Sequence, residues 1–182
     1  MATALAPAAR PAPSAAALAR RIRALIAVMI AGLVISGLTA LPLRWEIDIL
    51  AGLIGPGSAA AQLWPDMAAW VGIIRQTLAE VERSYPLMLY GTDWLAFAHI
   101  VIAIAFVGPL RDPVRNIWVI EFGMIACVLI FPMALAFGPL RGVPLFWQMI
   151  DCSFGVVGFV PLWLAQRDIL ALEKLQRAEV GA

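Results

Sequence analysis

Apolar residues in this chain gather into long unbroken runs, and charged residues gather between the runs. A soluble helix or strand would instead mix the two at a period of 3.6 or 2. Four runs reach the roughly 18 residues needed to cross hydrocarbon as a helix: about Ala24 to Leu43, about Asp93 to Leu110, about Ile117 to Leu140, and about Leu145 to Ala165. The last three are joined only by RDPVRN and RGVP, loops short enough to force antiparallel neighbours. The pattern predicts an all-α integral membrane four-helix bundle, wound up-down-up-down.

Between spans one and two lies the longest connection, Arg44 to about Gly91. It holds a turn signal, GPGSAAAQ, and then WPDMAAWVGIIRQTLAEVERSYP. Met67, Trp70, Val71, Ile74, Leu78 and Val81 recur at helical spacing, with Gln76, Glu80 and Arg83 opposite. Pro65 suits a first turn, Asp66 complements the positive helix end, and Pro86 stops the helix. The segment predicts an amphipathic surface helix over about 65–84, too polar to span, that caps the bundle or lies on the membrane. The first 19 residues, MATALAPAARPAPSAAALA, are too poor in large side chains to build a core and read as a disordered tail. Residues 169–182 read as a second tail, leaving 20–168 as the membrane domain. A signal peptide is the rival reading of the first span, but the run is long and no small-residue cleavage site follows closely.

Composition agrees with the membrane reading: 63% of the 182 residues are hydrophobic and only 14% charged, about half the soluble norm. The net charge of +1 gives no reason to expect nucleic acid. Cys127 and Cys152 lie within apolar runs and read as small hydrophobes. Of the 13 basic residues, nine (Arg10, Arg20, Arg21, Arg23, Arg111, Arg115, Arg167, Lys174, Arg177) fall on one predicted side, and Arg44, Arg75, Arg83 and Arg141 on the other. Positive residues favour the cytoplasm, so both termini are expected there. Trp45, Trp94, Trp118, Trp147 and Trp163 fall near span ends, where an aromatic belt belongs.

Few polar residues enter the runs. Spans two, three and four open near an acid (Asp93, Glu121, Asp151) and close near an arginine (Arg111, Arg141, Arg167), which complements each helix dipole. VGPLR recurs as FGPLR, helix-stopping chemistry that needs no shared function. Antiparallel packing is expected to bring Arg111, Glu121 and Arg167 together at one end and Asp93, Arg141 and Asp151 at the other, as ion pairs that fix register. The sole histidine, His99, shares a helix face with Ala96 and Ala103, so close contact with another helix is expected, with Asp151 or Ser153 as its partner. It reads first as a structural hydrogen-bonding residue and second as a proton-relay member. A third reading is a haem ligand completed by Met149 or a second subunit. No cofactor is predicted. HExxH, CxxC, P-loop, GxSxG and dinucleotide motifs are absent from the sequence.

TDWLAFAHIVIAIAFVGPLRDPVRNIWVIEFGMIACVLI and FWQMIDCSFG resemble small, uncharacterised four-span bacterial membrane proteins over about Tyr90 to Asp168. The resemblance implies a bacterial inner-membrane setting and no particular activity. The expected function is non-enzymatic, through contacts with lipid, a second copy or another membrane protein. The alternative is a proton-linked carrier using His99, Asp151 and Glu121.

Overall fold

The computed structural model describes residues 14–181. Among them the chain is all-helical, without strands. Seven α-helices follow in order: α1 (Ala15–Thr39), α2 (Leu43–Ile54), α3 (Pro65–Ser84), α4 (Tyr90–Ala105), α5 (Val107–Arg111), α6 (Ile117–Leu140) and α7 (Leu145–Val180), with 3-10 turns at Ala59–Gln62 and Pro86–Leu89. Four stretches are long and apolar enough to cross a membrane: Ala15–Thr39, Pro86–Arg111, Ile117–Leu140 and Leu145–Val180. Along α6, Trp118, Phe122, Ile125, Leu129 and Met133 are all exposed, a stripe that water would not tolerate and lipid would.

Several boundaries differ from those the sequence predicts. The first span opens at Ala15, inside the expected tail, because Ser14 Oγ accepts from the Ala17 N–H and the alanines that follow favour helix. Met1 to Pro13 lie outside the described residues. The span ends at Thr39, since Pro42 cannot continue a helix without meeting the Leu38 carbonyl. A helix not foreseen, α2, then begins at Leu43. The second span is interrupted at Phe106, where α4 gives way to α5. The fourth does not stop at Ala165: α7 is one helix of 36 residues reaching Val180, so the expected tail is helical. The third span and α3 fall on the predicted ranges. On α3, Met67, Ala68, Val71 and Gly72 are buried, Trp70 and Ile74 are half-buried, and Glu80 is exposed.

Two compact units divide the described residues: one comprises 14–29 and 106–181, the other Ile30–Ala105. In the first unit α6 and α7 form an antiparallel pair. Glu121 meets Gln166, Cys127 meets Gly155 and Gly158, and Gly138 meets Gln148. Their connection is a Schellman turn: Val143 N–H donates to Gly138 O, Gly142 N–H donates to Pro139 O, and Gly142 takes φ +70°. The buried Gln148 side chain then donates to Val143 O at 2.7 Å, tying the start of α7 to the turn.

Apolar side chains gain little by leaving lipid for one another, so close packing must come from small residues. A Cβ added at Gly155 would lie 2.6 Å from Cys127 O, and one at Gly123 would lie 2.8 Å from Phe106 and 2.9 Å from Leu162. A core closes round this pair near the start of α1: Ile22, Ile26, Phe106, Ile120, Leu162 and Ile169 are buried to 1% exposure or less. In the second unit α2 packs on α3, and α1 approaches α4 at Gly37, whose added Cβ would sit 3.0 Å from Ala96 O.

Gly155→Ala must push two backbones apart, and is expected to cost about 1–3 kcal/mol in an unfolding titration in detergent. Gly32→Ala, with nothing within 4 Å of the new methyl, should cost nothing comparable. Equal effects would show that α6 and α7 do not depend on that close approach.

Candidate functional site

The most developed polar site lies in the second unit, on α2. Its sequence, LRWEIDILAGLI, places Leu43, Ile47 and Leu50 towards α3 and leaves Arg44 and Asp48 one turn apart. Arg75, one turn beyond the buried Val71 on α3, reaches back to the same carboxylate. Asp48 Oδ1 accepts from Arg75 Nε at 2.6 Å, and Oδ2 accepts from Arg44 Nε at 3.2 Å. One acid thus clamps two guanidiniums and joins α2 to α3. The bond from Arg75, then that from Arg44, holds the Asp48 carboxyl below the usual carboxylate range.

Arg44 and Asp48 of the clamp line a cleft of about 520 Å³. Trp45, Glu82, Thr92 and Asp93 also line it, with Leu78 and Leu89 among its apolar walls. Thr92 is fixed by a 2.6 Å bond from its hydroxyl to Leu89 O. The sequence pointed to Asp93 alone in this group. Arg44, Asp48 and Arg75 were missed because the stretch from Arg44 was read as a connection. The signal was present in the apolar stripe of Leu43, Ile47, Leu50 and Ile54 starting just after Pro42.

Asp93 and His99 belong to the second unit, Glu121 and Asp151 to the first. His99 Nδ1 lies 2.8 Å from Leu95 O on its own helix. A carbonyl only accepts, so Nδ1 carries the proton there and a neutral ring presents its lone pair at Nε2. Within the second unit the close helix at His99 is α1, where a Cβ at Gly37 would meet His99 Cβ at 3.1 Å. Of the two partners expected on the fourth span, Ser153 donates its hydroxyl to Ile150 O.

In the first unit Glu121 accepts from Gln166 Nε2 at 3.3 Å, whereas Asp151 stands near the start of α7. Fifteen residues separate Asp151 from Gln166, roughly 22 Å along the helix, so the two acids occupy opposite ends of the α6–α7 pair. The register pairs expected of Arg111 with Glu121 and of Arg141 with Asp151 are not among the ion pairs of the described residues. Arg111, Glu121 and Arg141 are exposed, where long side chains reach water instead. Arg167 approaches Asp168 Oδ1 at 3.5 Å and stacks over Trp163 at 5.6 Å.

Asp168 is the buried charge that sequence reasoning missed. It is 3% exposed, between Ala165 and Leu172 on the buried stripe of α7, and Arg21 Nε of α1 lies 2.9 Å from its Oδ2. That oxygen accepts no hydrogen bond, so charge rather than an aligned N–H holds the pair. Following the apolar period past Gln166 would have found it. No group of three His, Cys, Asp or Glu side chains among the described residues is placed to hold a metal. Comparison of the chain with protein-family models, curated proteins and solved structures returns no match.

Because the folded Asp48 carboxyl titrates below its unfolded value, its contribution is complete above the ordinary carboxylate pKa of about 3.9 and fades as pH falls through the folded value. Hydrogen exchange of α2 amides, corrected for intrinsic rate, should therefore be flat from about pH 7 to 5 and quicken below about pH 4. Asp48→Asn should exchange faster at neutral pH and lose that acid dependence. Acid dependence unchanged in the variant would locate it elsewhere.

Arg21→Ala would strand the Asp168 carboxylate with only Arg167 nearby. Since Arg21 is half exposed, the expected loss is about 1–2 kcal/mol rather than that of a fully buried pair. Asp168→Leu, which removes the charge, should cost less than Arg21→Ala in the same unfolding measurement. The reverse order would mean that the ion pair is net stabilising.

Proposed function

We propose that this is a multi-pass protein of the bacterial inner membrane that works by binding at an outer-face cap rather than by covalent chemistry. Four spans run up-down-up-down, both termini are cytoplasmic, and the α2–α3 hairpin lies across the outer ends of the first two spans. The observation that carries the reading is the Asp48 clamp: Arg75 ties α3 to Asp48 of α2, which Arg44 braces from one turn away beside a polar cleft. Leu41 and Pro42, just past the end of α1, and Thr92 and Asp93, in the first turn of α4, line that cleft. Both candidate spans therefore meet the cleft at an end, where bilayer gives way to water.

The Arg21–Asp168 pair supports the orientation, because it brings the basic start of α1 beside the exit of α7. The nine-to-four division of basic residues supports a cytoplasmic setting for that end. The half-buried face of α3 supports a helix that lies on the assembly rather than spans the membrane. Glu121 lends no weight to the carrier alternative: it is exposed and taken by Gln166.

Topology reporters fused after Val180 and inserted within residues 57–62 are expected to report opposite sides, the first cytoplasmic. A periplasmic signal after Val180 would overturn the orientation, and two signals on one side would overturn the cap.

A further inference from the structure

Beside the polar cleft lies a mainly apolar groove of about 450 Å³ along α2 and α3, with Glu46 its one charged lining residue. Leu43, Trp45 and Leu78 line both, so cleft and groove adjoin at these side chains, one more polar and the other mainly apolar. On the apolar side α2 exposes Trp45 (65%), Ile49 (44%) and Leu53 (65%), one residue per turn on a single face. Such a stripe needs an apolar cover.

The polar end has a specific charge pattern. Arg44 and Arg75 share Asp48, so the trio keeps one net positive charge, with Arg44 on the cleft wall. Glu82 and Asp93 line the same cleft and enter no ion pair among the described residues. A metal ion would need more ligands than these two carboxylates. An organic ammonium needs only charge, hydrogen-bond acceptors and an aromatic face, and Trp45 supplies the last. An ammonium and a phosphodiester joined to acyl chains are the parts of a zwitterionic phospholipid.

We infer that cleft and groove together bind one phospholipid of the surrounding bilayer through its ammonium-bearing headgroup. The ammonium sits on Glu82 and Asp93 beside Trp45, the phosphate sits towards Arg44, and an acyl chain follows Ile49, Leu53 and Ile74. The inference rests on the proposed placement of the α2–α3 hairpin at the membrane boundary, and it names the ligand class for that site.

The test uses the full chain in nanodiscs made of equal parts phosphatidylethanolamine and phosphatidylglycerol, with retained lipid counted by native mass spectrometry. Phosphatidylethanolamine should be retained over phosphatidylglycerol by about tenfold, the scale of one charge-assisted contact. Glu82→Gln with Asp93→Asn should bring the ratio near one, and Glu82→Lys with Asp93→Lys should turn it towards phosphatidylglycerol. Unchanged helix content and melting temperature show that a variant is folded; if the lysine pair misfolds, the neutral pair decides. Equal retention, a phosphatidylglycerol preference in the native chain, or a preference that survives the neutral pair overturns the inference. The topology reporters keep the two readings apart: correct topology without lipid preference sinks only the lipid site, whereas lipid preference with an inverted topology sinks only the orientation.

Discussion

Inside hydrocarbon a helix cannot gain much by hiding a leucine from lipid, yet its backbone polar groups must all be satisfied within the helix. Those two facts govern the first unit. Its helices are held where side chains are missing: at Gly155 the backbone of α6 comes so near that a methyl would lie 2.6 Å from Cys127 O. Dispersion between closely apposed surfaces then does what hydrophobic burial does in water. The Schellman turn at Gly142 and the Gln148 bond to Val143 O satisfy the polar groups at the α6–α7 turn. Large side chains are buried deepest round Ile22, Phe106, Ile120, Leu162 and Ile169, near the ends of the apolar runs, where burial against water regains its value.

Charge follows the same division. Asp48 is more than a third exposed and is held by two aligned bonds to guanidiniums, the one from Arg75 short. Asp168 is almost wholly buried and has closeness without alignment. The first arrangement costs little desolvation and gives direction, so it positions one helix against another. The second takes a carboxylate out of water, a desolvation cost that its two arginines must offset. Both acids sit beside helix segments that the hydropathy pattern alone treats as margins.

That is why the sequence showed the spans well and the site poorly. Hydropathy over twenty residues finds the third span and the amphipathic period finds α3, because in both the sequence signal and the structural cause are the same. Boundaries depend on individual residues: Pro42 ends α1, whereas nothing between Ala165 and Val180 is able to stop α7. Dipole complementarity led to Asp93, Glu121 and Asp151 with Arg111, Arg141 and Arg167, and treated each acid as needing the nearest base across the bundle. Arginine stems are long enough to find water or an adjacent ring, as Arg167 does over Trp163, so proximity along a helix end did not make pairs.

The residues that do pair were legible by another rule. Arg44 and Asp48 are four apart beside an apolar stripe, and Asp168 interrupts the stripe formed by Ala165, Ile169 and Leu172. A charged residue on the buried side of a helical period must find a partner, and that demand is stronger evidence of contact than a charge at a helix end. Glu82 and Asp93 differ from both cases: they line a cleft, and no cation of the described chain pairs with them. Water can solvate two such carboxylates, but it cannot also cover Trp45, Ile49 and Leu53 at low cost on the face that continues from them. A molecule with a charged end and an apolar end meets both requirements at once, which is what the proposed phospholipid would bring to this face.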